Sequence, residues 1–449
     1  MKPLTLITLL LLAGPACANP FETTLKNGLK VIVKEDRRAP TAVQMVWYKT
    51  GSIDEVDGSS GLAHVLEHMM FKGTPKIGPG EFNKRVAAAG GRDNAFTSRD
   101  YTAYFQQVPK EKLPEMMHLE ADRMRHLTVD AKEFAQEIKV VMEERRTRTD
   151  DNPRSKLYEQ MNAVAWQAHP YRRPIIGWMN DLENMTAADA MDWYKRWYLP
   201  NNATLVVVGD VDHQAVFKLA EKHYGTMASR QLPVRRPQIE PEQKGERRVT
   251  VKAPADLPML VLAYKAPALR DVDKDVDPYA LDMLAAILDG YDAARLKKRL
   301  VRAQKIALSA DAGYDGIGRG PGMFYLSGTP APGKTLAELE AALKGEIARI
   351  QQEGIAEAEL LRAKAQLEAA QTYKLDSMMG QAMEIGMIET IGFSWRDNDR
   401  MIARTQQVTA AQVQAVAKKH FSDETLTVGI LDPQPLDDQP RRPALPLKH

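Results

Sequence analysis

Two histidines and a glutamate stand close together in residues 64–68, which read HVLEH. His64 and His68 are four residues apart, so on a helix both imidazoles lie on one face and can bind the same Zn²⁺ ion at about 2.0–2.1 Å. Glu67 lies beside that face, where it can act on a metal-bound water. The alternative is an ordinary amphipathic helix turn, because a single histidine more often has a structural role. The complete pattern is rarer than a single histidine, which favours a metal site.

Two histidines do not complete a zinc site, so the pattern predicts a third ligand elsewhere, with water in the fourth position. A candidate segment is FAQEIKVVMEERR, whose apolar stripe at helical spacing is formed by Phe134, Ile138 and Val141. Glu137 and Glu144 run along one border of this stripe, and Glu143 points about 100° away from Glu144 around the helix. A carboxylate at such a border can face inward, whereas an isolated glutamate more often lies on a solvated face. Spacing alone leaves both possibilities open.

Helical periodicity covers residues 61–90 and 112–148, the two segments that carry these side chains. Residues 58–61, GSSG, supply cap and turn chemistry for a helix that begins just before His64. The apolar run NNATLVVVGDVD at residues 201–212 predicts a buried strand, because turn residues bound it on both sides. Helices and strands are therefore expected to be interleaved around a mixed sheet.

The second half of the sequence repeats the order of the first, with ALDMLAAILDG in place of LAHVLEHMMFKG and DETLTVGILDP in place of NNATLVVVGDVD. We therefore expect an α+β fold of two homologous domains, each a mixed, mostly antiparallel sheet packed with helices. The second copy lacks the histidines, so only the first can carry this metal site. The predicted segments are a signal peptide at 1–18, an N-terminal domain at 19–228, a linker at 229–247, a C-terminal domain at 248–432 and a proline-rich tail at 433–449.

The N-terminal residues have the composition of a secretory signal peptide, with a lysine at position 2, an apolar core and an Ala-Cys-Ala sequence that predicts cleavage near Ala18. The expected location is periplasmic or secreted. Cys17 is the only cysteine and would leave with this peptide, so no disulfide or thiolate chemistry is expected in the mature chain. A formal net charge of +2 gives no reason to expect nucleic acid as a partner, and no segment predicts a membrane span. The basic run of Arg145, Arg146 and Arg148 is interpreted as a solvated helix end.

With these motifs the sequence resembles the insulinase or pitrilysin family of zinc metallopeptidases, which carry an inverted HxxEH motif. The similarity extends beyond the histidines to Gly51, residues 61–68 (GLAHVLEH), residues 71–74 (FKGT) and residues 90–98 (GGRDNAFTS). It covers essentially the whole mature chain, including the duplicated half. The resemblance implies a single-length chain of the bacterial processing-peptidase kind.

The resemblance implies that one Zn²⁺ ion per chain is bound by His64, His68 and Glu144, the last of which matches the distal glutamate of the family by its spacing. It implies that Glu67 is the general base and that Glu137 supports the site from outside the ligands. The expected reaction is hydrolysis of peptide bonds in unfolded peptides or small proteins. The family binds its substrate as an added strand on a sheet edge, and the matching residues are Asn94, Ala95, Phe96 and Thr97.

The resemblance is incomplete in the second half, where many relatives contribute an arginine and a tyrosine that hold substrate and stabilise the oxyanion. Here Leu308 stands at the tyrosine position, and a leucine cannot donate a hydrogen bond. Arg302 is the nearest candidate for the arginine, and Tyr314 could replace the tyrosine by a local shift. We therefore expect a homodimer, or a heterodimer in which a family paralogue supplies the arginine and the tyrosine. The alternative function is a weakly catalytic or non-catalytic subunit that binds a peptide or a partner.

Overall fold

The structure of the protein, a computed structural model, describes residues 20–435. The predicted signal peptide and residues 436–449 of the predicted tail lie outside the described residues. Within the described range the chain forms two mixed β-sheets, and helices pack against both of them. The predicted α+β fold class is confirmed.

The described residues of the first half form six strands, which are β1 (Phe21–Thr24), β2 (Lys30–Glu35), β3 (Thr41–Tyr48), β4 (Arg92–Thr97), β5 (Thr102–Pro109) and β6 (Ala203–Gly209). The described second half forms five strands, which are β7 (Arg247–Pro254), β8 (Met259–Ala266), β9 (Ala307–Asp315), β10 (Gly322–Pro330) and β11 (Leu426–Gln434).

The α-helices of the first half are α1 (Leu62–Met69), α2 (Glu81–Ala88), α3 (Leu113–His126), α4 (Ala131–Arg145), α5 (Pro153–Ala165), α6 (Met179–Asn184), α7 (Ala187–Trp197) and α8 (His213–Tyr224). Those of the second half are α9 (Asp277–Asp289), α10 (Leu336–Glu353), α11 (Glu357–Asp376), α12 (Met378–Ile391), α13 (Asp397–Gln406) and α14 (Ala410–His420). None of the helices in residues 20–435 combines the length and the apolar composition needed to cross a bilayer.

The two sheets have matching strand orders. The first runs β1-β2-β6-β3-β5-β4 and the second runs β7-β11-β8-β10-β9, so every strand except β1 has a counterpart. In each sheet one pair is parallel, β2 with β6 and β7 with β11, and the other pairs are antiparallel. β4 and its counterpart β9 each lie at a sheet edge. This correspondence supports an internal duplication, while the exact domain boundaries stay predictions.

Each half covers one face of the other half's sheet with a helix. Leu157 and Met161 of α5 pack against Val261 on the second sheet. In the reverse direction, Ile385 of α12 packs with Trp47 on the first sheet. Since α5 and α12 hold corresponding places in the two halves, the two domains share their packing reciprocally. The opposite face of the first sheet is left to α1, α4 and their neighbours, which carry the candidate site.

Candidate metal centre

Helix α1 carries three of the candidate residues, and all of its residues are buried. It begins at Gly61, whose φ of 87° lies in the left-handed region that glycine adopts without strain. The first amides of the helix are bound by the carboxylate of Glu55, which accepts from the backbone N–H of Gly61 at 3.0 Å and of Ala63 at 2.9 Å. Burial raises the pKa of Glu55 to about 8, although the hydrogen bonds from these two amides act in the opposite direction. The glycines and serines of residues 58–61 therefore supply the turn, while a more distant glutamate supplies the cap.

A close backbone approach fixes where α1 lies. A Cβ atom on Gly61 would stand 2.5 Å from the carbonyl oxygen of Ile176 and 2.8 Å from Cα of Gly177. Ser60 reinforces the contact, because its hydroxyl donates to Asp181 at 2.5 Å. No larger residue fits at position 61 without moving the loop at Ile176 and Gly177. These contacts fix the position of α1, and therefore of its two histidines, relative to this loop and to α6.

Helix α4 brings the candidate third ligand to the histidines. Its N-terminus is capped by Asp130, and its last turn contains Glu144, of which only 1% is exposed. Oε2 of Glu144 lies 3.3 Å from Nε2 of His68 and 3.8 Å from Nε2 of His64. One ligand atom from each of the three residues lies within 4.8 Å of the others. The structure thus brings together the three residues that the pattern and the resemblance selected.

The spacing and chemistry of these atoms fit zinc. Two ligands bound at about 2.0–2.1 Å to a tetrahedral ion are about 3.3 Å apart, close to the separations found between Glu144 and the two imidazoles. Two imidazole nitrogens with one carboxylate oxygen form a donor set typical of catalytic zinc sites, which leave the fourth position to water or substrate. His64, His68 and Glu144 can therefore hold one Zn²⁺ ion.

The outer nitrogen of His68 is bound by a second carboxylate. Oε1 of Glu137 lies 2.8 Å from Nδ1 of His68. The other carboxylate oxygen of Glu137 forms an ion pair with Lys72. Although burial raises it, the net pKa of Glu137 is lowered by His68 and Lys72, so the carboxylate stays ionised. An imidazole that donates from Nδ1 presents the lone pair of Nε2 to a metal.

The ionisable groups of the site are strongly perturbed. Burial raises the pKa of Glu67 to about 7, although the hydroxyl of Thr97, which donates to Oε2, acts in the opposite direction. Burial also disfavours the charged form of Glu144, yet His68, His64 and Arg148 hold the pKa of that carboxyl at about 2. Burial lowers the pKa of His68, but the hydrogen bonds to Glu137 and Glu144 raise it by more, to about 9. The carboxylates thus favour positive charge here, which a divalent cation between neutral imidazoles would supply.

The site opens into a cavity of about 470 Å³. Its wall includes His64 and Glu67 from α1, Glu144 from α4, and residues Asn94, Ala95, Phe96 and Thr97 from the edge strand β4. Thr97 connects the two walls, because its hydroxyl bonds to Glu67 at 2.5 Å. The resemblance-derived substrate residues therefore lie beside the candidate base.

The second-half candidates lie elsewhere. None of the described residues after Ile176 lines this cavity. Arg302 is exposed and donates to the backbone carbonyl of Asp292. Leu308 is 48% exposed on the edge strand β9. The Tyr314 hydroxyl donates to the backbone carbonyl of Pro267, so its proton is not available for a hydrogen bond to an oxyanion.

Arg145 corrects the interpretation of the basic run as a solvated helix end, whereas Arg148 keeps an exposed side chain but has a specific partner. Arg145 is buried and forms a bidentate pair with Glu159 at 2.7 and 2.9 Å. Arg148 lines the cavity and forms an ion pair with Oε1 of Glu144. The signal available in the sequence was the spacing of four residues between Glu144 and Arg148, which favours contact along a helix.

Comparison with known families divides the chain into two matching segments. Residues 30–178 match the family described as insulinase (peptidase family M16), and they include every residue of the candidate centre. Residues 184–367 match the family described as the peptidase M16 inactive domain. The second match agrees with the lack of the histidine motif in the second half.

Individual proteins show the same likeness. The chain is 39% identical over 293 residues to the zinc protease PqqE of Helicobacter pylori. The aligned segment covers 64% of this chain and 65% of that protein, which is slightly under two thirds of the relative's length. An uncharacterized zinc protease of Mycobacterium tuberculosis is 29% identical over 429 residues, or 94% of this chain and 95% of that protein. The crystal structure of a protease from Helicobacter pylori superposes with a TM-score of 0.87 at 31% identity, covering 92% of this chain and 100% of that one.

Proposed function

Since this chain belongs to the insulinase family, peptidase family M16, we propose that it is a zinc-dependent endopeptidase that hydrolyses peptide bonds in unfolded peptides or small proteins. The observation that carries the proposal is the convergence of His64, His68 and Glu144 beside the buried carboxylate of Glu67. Structural zinc sites use four protein ligands, whereas three ligands at an open cavity leave a position for chemistry.

Each residue of the centre has one role in this proposal. His64, His68 and Glu144 hold the ion, and Glu137 orients His68 from outside. When bound there, zinc supplies a Lewis acid that polarises the scissile carbonyl and makes water more acidic. Glu67 is the general base. Because Oε2 of Glu67 accepts the Thr97 hydroxyl, Oε1 takes the proton of the attacking water and later delivers it to the leaving amine.

Substrate binding is proposed along β4. This strand pairs with β5 on one side only, so its outer edge has backbone groups that an extended peptide can join. The residues Asn94, Ala95, Phe96 and Thr97 run along the cavity wall toward Glu67. Main-chain pairing reads an extended backbone more than side chains, which favours unfolded peptides with broad sequence selectivity.

The test is hydrolysis of a quenched-fluorescent, unstructured peptide by the chain from Asn19 to His449. We expect turnover that a chelator abolishes and that zinc restores, while Glu67→Gln removes turnover and keeps the metal. Glu144→Gln should lose zinc, whereas Glu143→Gln should keep it, because Glu143 pairs with Arg146 away from the histidines. A zinc-loaded wild-type chain without chelator-sensitive turnover, both alone and with a family paralogue added, would contradict the proposal.

A second candidate function, a peptide-binding or partner-binding subunit, is favoured by Leu308. An exposed leucine at this position cannot stabilise an oxyanion, so a homodimer or a heterodimer with a family paralogue could supply the missing arginine and tyrosine. In that arrangement turnover of the isolated chain is low and rises on addition of the paralogue, with Glu67 still required. If the chain is only a binding subunit, Glu67→Gln leaves its function unchanged.

Export to the periplasm or the medium is proposed from the N-terminal composition, and fractionation of cells tests it.

A further inference from the structure

Arg148 places a permanent positive charge over the buried carboxylate of Glu144. It lies in a π-helical turn, Arg146–Asp150, that directly follows α4. Its guanidinium forms an ion pair with Oε1 of Glu144, whose side chain is completely buried, while 54% of the Arg148 side chain is exposed. Such single π turns are frequent at functional sites. The pair thus joins a buried acid to a cation that still faces the cavity.

The two oxygens of Glu144 face different groups. Oε2 points to the imidazoles of His64 and His68, at 3.8 and 3.3 Å, whereas Oε1 points to Arg148. A guanidinium has five N–H donors, and one carboxylate oxygen accepts only part of them. The remaining donors of Arg148 are therefore available to a ligand in the cavity.

Arg148 also stands out among the residues around the cavity. Of the described residues that line it, Arg148 is the only lysine or arginine, and His64 and Glu67 line the same space. The second-half candidates contribute nothing to this wall, because Arg302, Leu308 and Tyr314 are absent from the described lining. The cationic donor in the described cavity wall thus comes from the first half of the chain itself.

We propose that Arg148 is a catalytic residue that donates hydrogen bonds to the carbonyl oxygen of the scissile bond as this oxygen becomes negatively charged. The inference rests on the proposed peptidase function. In this step the water oxygen bonds to the carbonyl carbon, the water proton moves to Glu67, and the carbonyl π electron pair goes to the oxygen that Arg148 faces. A donor placed where charge develops lowers the barrier more than it strengthens substrate binding. Arg148 gives the chain one such donor of its own, whether or not a second chain adds others.

A neighbouring ion pair provides the matched control. Arg146 lies on the same turn and pairs with Glu143 at 3.1 Å, and 39% of its side chain is exposed. It does not belong to the described cavity wall. If an arginine near this helix end matters only through the helix dipole or surface charge, Arg146→Ala and Arg148→Ala should behave alike.

The first experiment measures kcat and KM of zinc-loaded Arg148→Ala, Arg148→Lys and Arg146→Ala on one quenched-fluorescent peptide, with metal content determined for each variant. We expect Arg148→Ala to lower kcat about 100-fold with little change in KM, the usual effect of losing one oxyanion donor. Arg148→Lys should recover only part of this loss, because a single ammonium lacks the planar fork. Arg146→Ala should remain within about 2-fold of the wild type, as expected for a surface ion pair.

The second experiment measures binding rather than turnover. A phosphinic peptide carries a tetrahedral, anionic group in place of the scissile bond. We expect Arg148→Ala to weaken its Kd about 100-fold, but to weaken the Kd of the uncleaved peptide, measured in the Glu67→Gln background, less than about 3-fold. Equal weakening of both ligands would overturn the proposal. So would full recovery of kcat by excess zinc, since Arg148 would then act only through Glu144. A wild-type chain without chelator-sensitive turnover, both alone and with a family paralogue added, would instead overturn the peptidase function itself.

Discussion

Oε1 of Glu137 lies 2.8 Å from Nδ1 of His68, on the side of the ring opposite to the nitrogen that faces Glu144. Lys72 forms an ion pair with the other oxygen of Glu137. The three groups form a chain of alternating charge that fixes the rotation and the tautomer of His68. Because Glu137 is 8% exposed, water does not compete strongly for either contact. The proposed zinc ligand is thus oriented before any metal binds.

We predict that Glu137→Ala weakens zinc binding by about 10- to 100-fold, the cost usually found when a partner behind a metal-bound histidine is removed. Glu137→Gln should lose less, because its amide oxygen still accepts the Nδ1 proton of His68. Competition with a chromogenic chelator measures both affinities. Glu143→Gln is the control, since Glu143 lies on the same helix but pairs with Arg146. Equal zinc affinities in Glu137→Ala and Glu143→Gln would show that His68 needs no support from Glu137.

A second prediction concerns acid stability and uses Glu240, which lies in the predicted linker. Its carboxylate accepts the backbone N–H groups of Gln167, Ala168 and His169 and forms an ion pair with Lys265 of β8 at 2.7 Å. Burial raises the pKa of this carboxyl, but these donors outweigh burial and hold it at about 2, against an ordinary value of 4.5. The folded state thus stabilises the ionised form.

Because the folded pKa is lowered, the stability that Glu240 contributes is fully present above about pH 4.5 and is lost as the pH falls toward 2. We expect Glu240→Gln to reduce the free energy of unfolding at pH 7 by on the order of 3 kcal/mol. Urea titrations at several pH values should show the difference from wild type shrinking through this window. Glu242→Gln is the control, because Glu242 is 79% exposed and pairs only with Lys244 among the described contacts. A pH-independent difference would contradict the linkage argument.

The central residues of the site could be predicted from the sequence because they are close together in the chain or at recognisable spacings. His64, Glu67 and His68 share one helix, so their relation follows from helical geometry. Glu144 and Glu137 required the resemblance, since an amphipathic border alone did not tell inward from outward glutamates. The roles of all five stay proposals, although the structure brings them together.

Contacts set by tertiary packing were not predictable in the same way. Glu55 caps α1 although the sequence pattern assigned the cap to residues 58–61, and Glu240 binds segments from both halves. The repeat in the sequence predicted two similar mixed sheets, but it did not predict that α5 and α12 each pack on the sheet of the other half. An amphipathic pattern shows that a helix has an apolar face, and it does not show which of two sheets covers that face.

A third prediction concerns α12, the helix of the second half that packs on the first sheet. Gly386 packs so closely on the indole of Trp47 that an added Cβ atom would overlap the ring, and Trp47 is completely buried. Gly386→Ala should therefore lower the free energy of unfolding by about 1–3 kcal/mol, the usual cost of overpacking a core. Gly345→Ala in α10 is the opposite case, because a Cβ atom there meets nothing within 4 Å. It should stabilise the chain by about 0.5–1 kcal/mol through helix propensity. Thermal unfolding of both variants decides the point, and a similar shift in both would refute the packing argument.

The last prediction concerns a buried ion pair that joins the two halves. Arg319, in the turn between β9 and β10, binds Asp54 of the first half through two contacts of 2.8 Å each. Its backbone N–H also donates to Asp100 at 3.1 Å, and its side chain is 11% exposed. Arg235 is the second cation on Asp54, at 2.8 Å.

We expect Arg319→Met to lower the free energy of unfolding by about 3 kcal/mol, because it leaves a buried carboxylate with only one of its two cations. The double variant Asp54→Asn/Arg319→Met should recover part of the loss, since the uncompensated charge is then removed as well. Arg319→Lys should be intermediate, because it keeps the charge but not the bidentate geometry. Urea unfolding of the wild type, the single variants Asp54→Asn and Arg319→Met and the double variant gives the coupling energy directly. Strictly additive losses would mean that Arg319 and Asp54 each stabilise the chain through other contacts and not through their mutual pair.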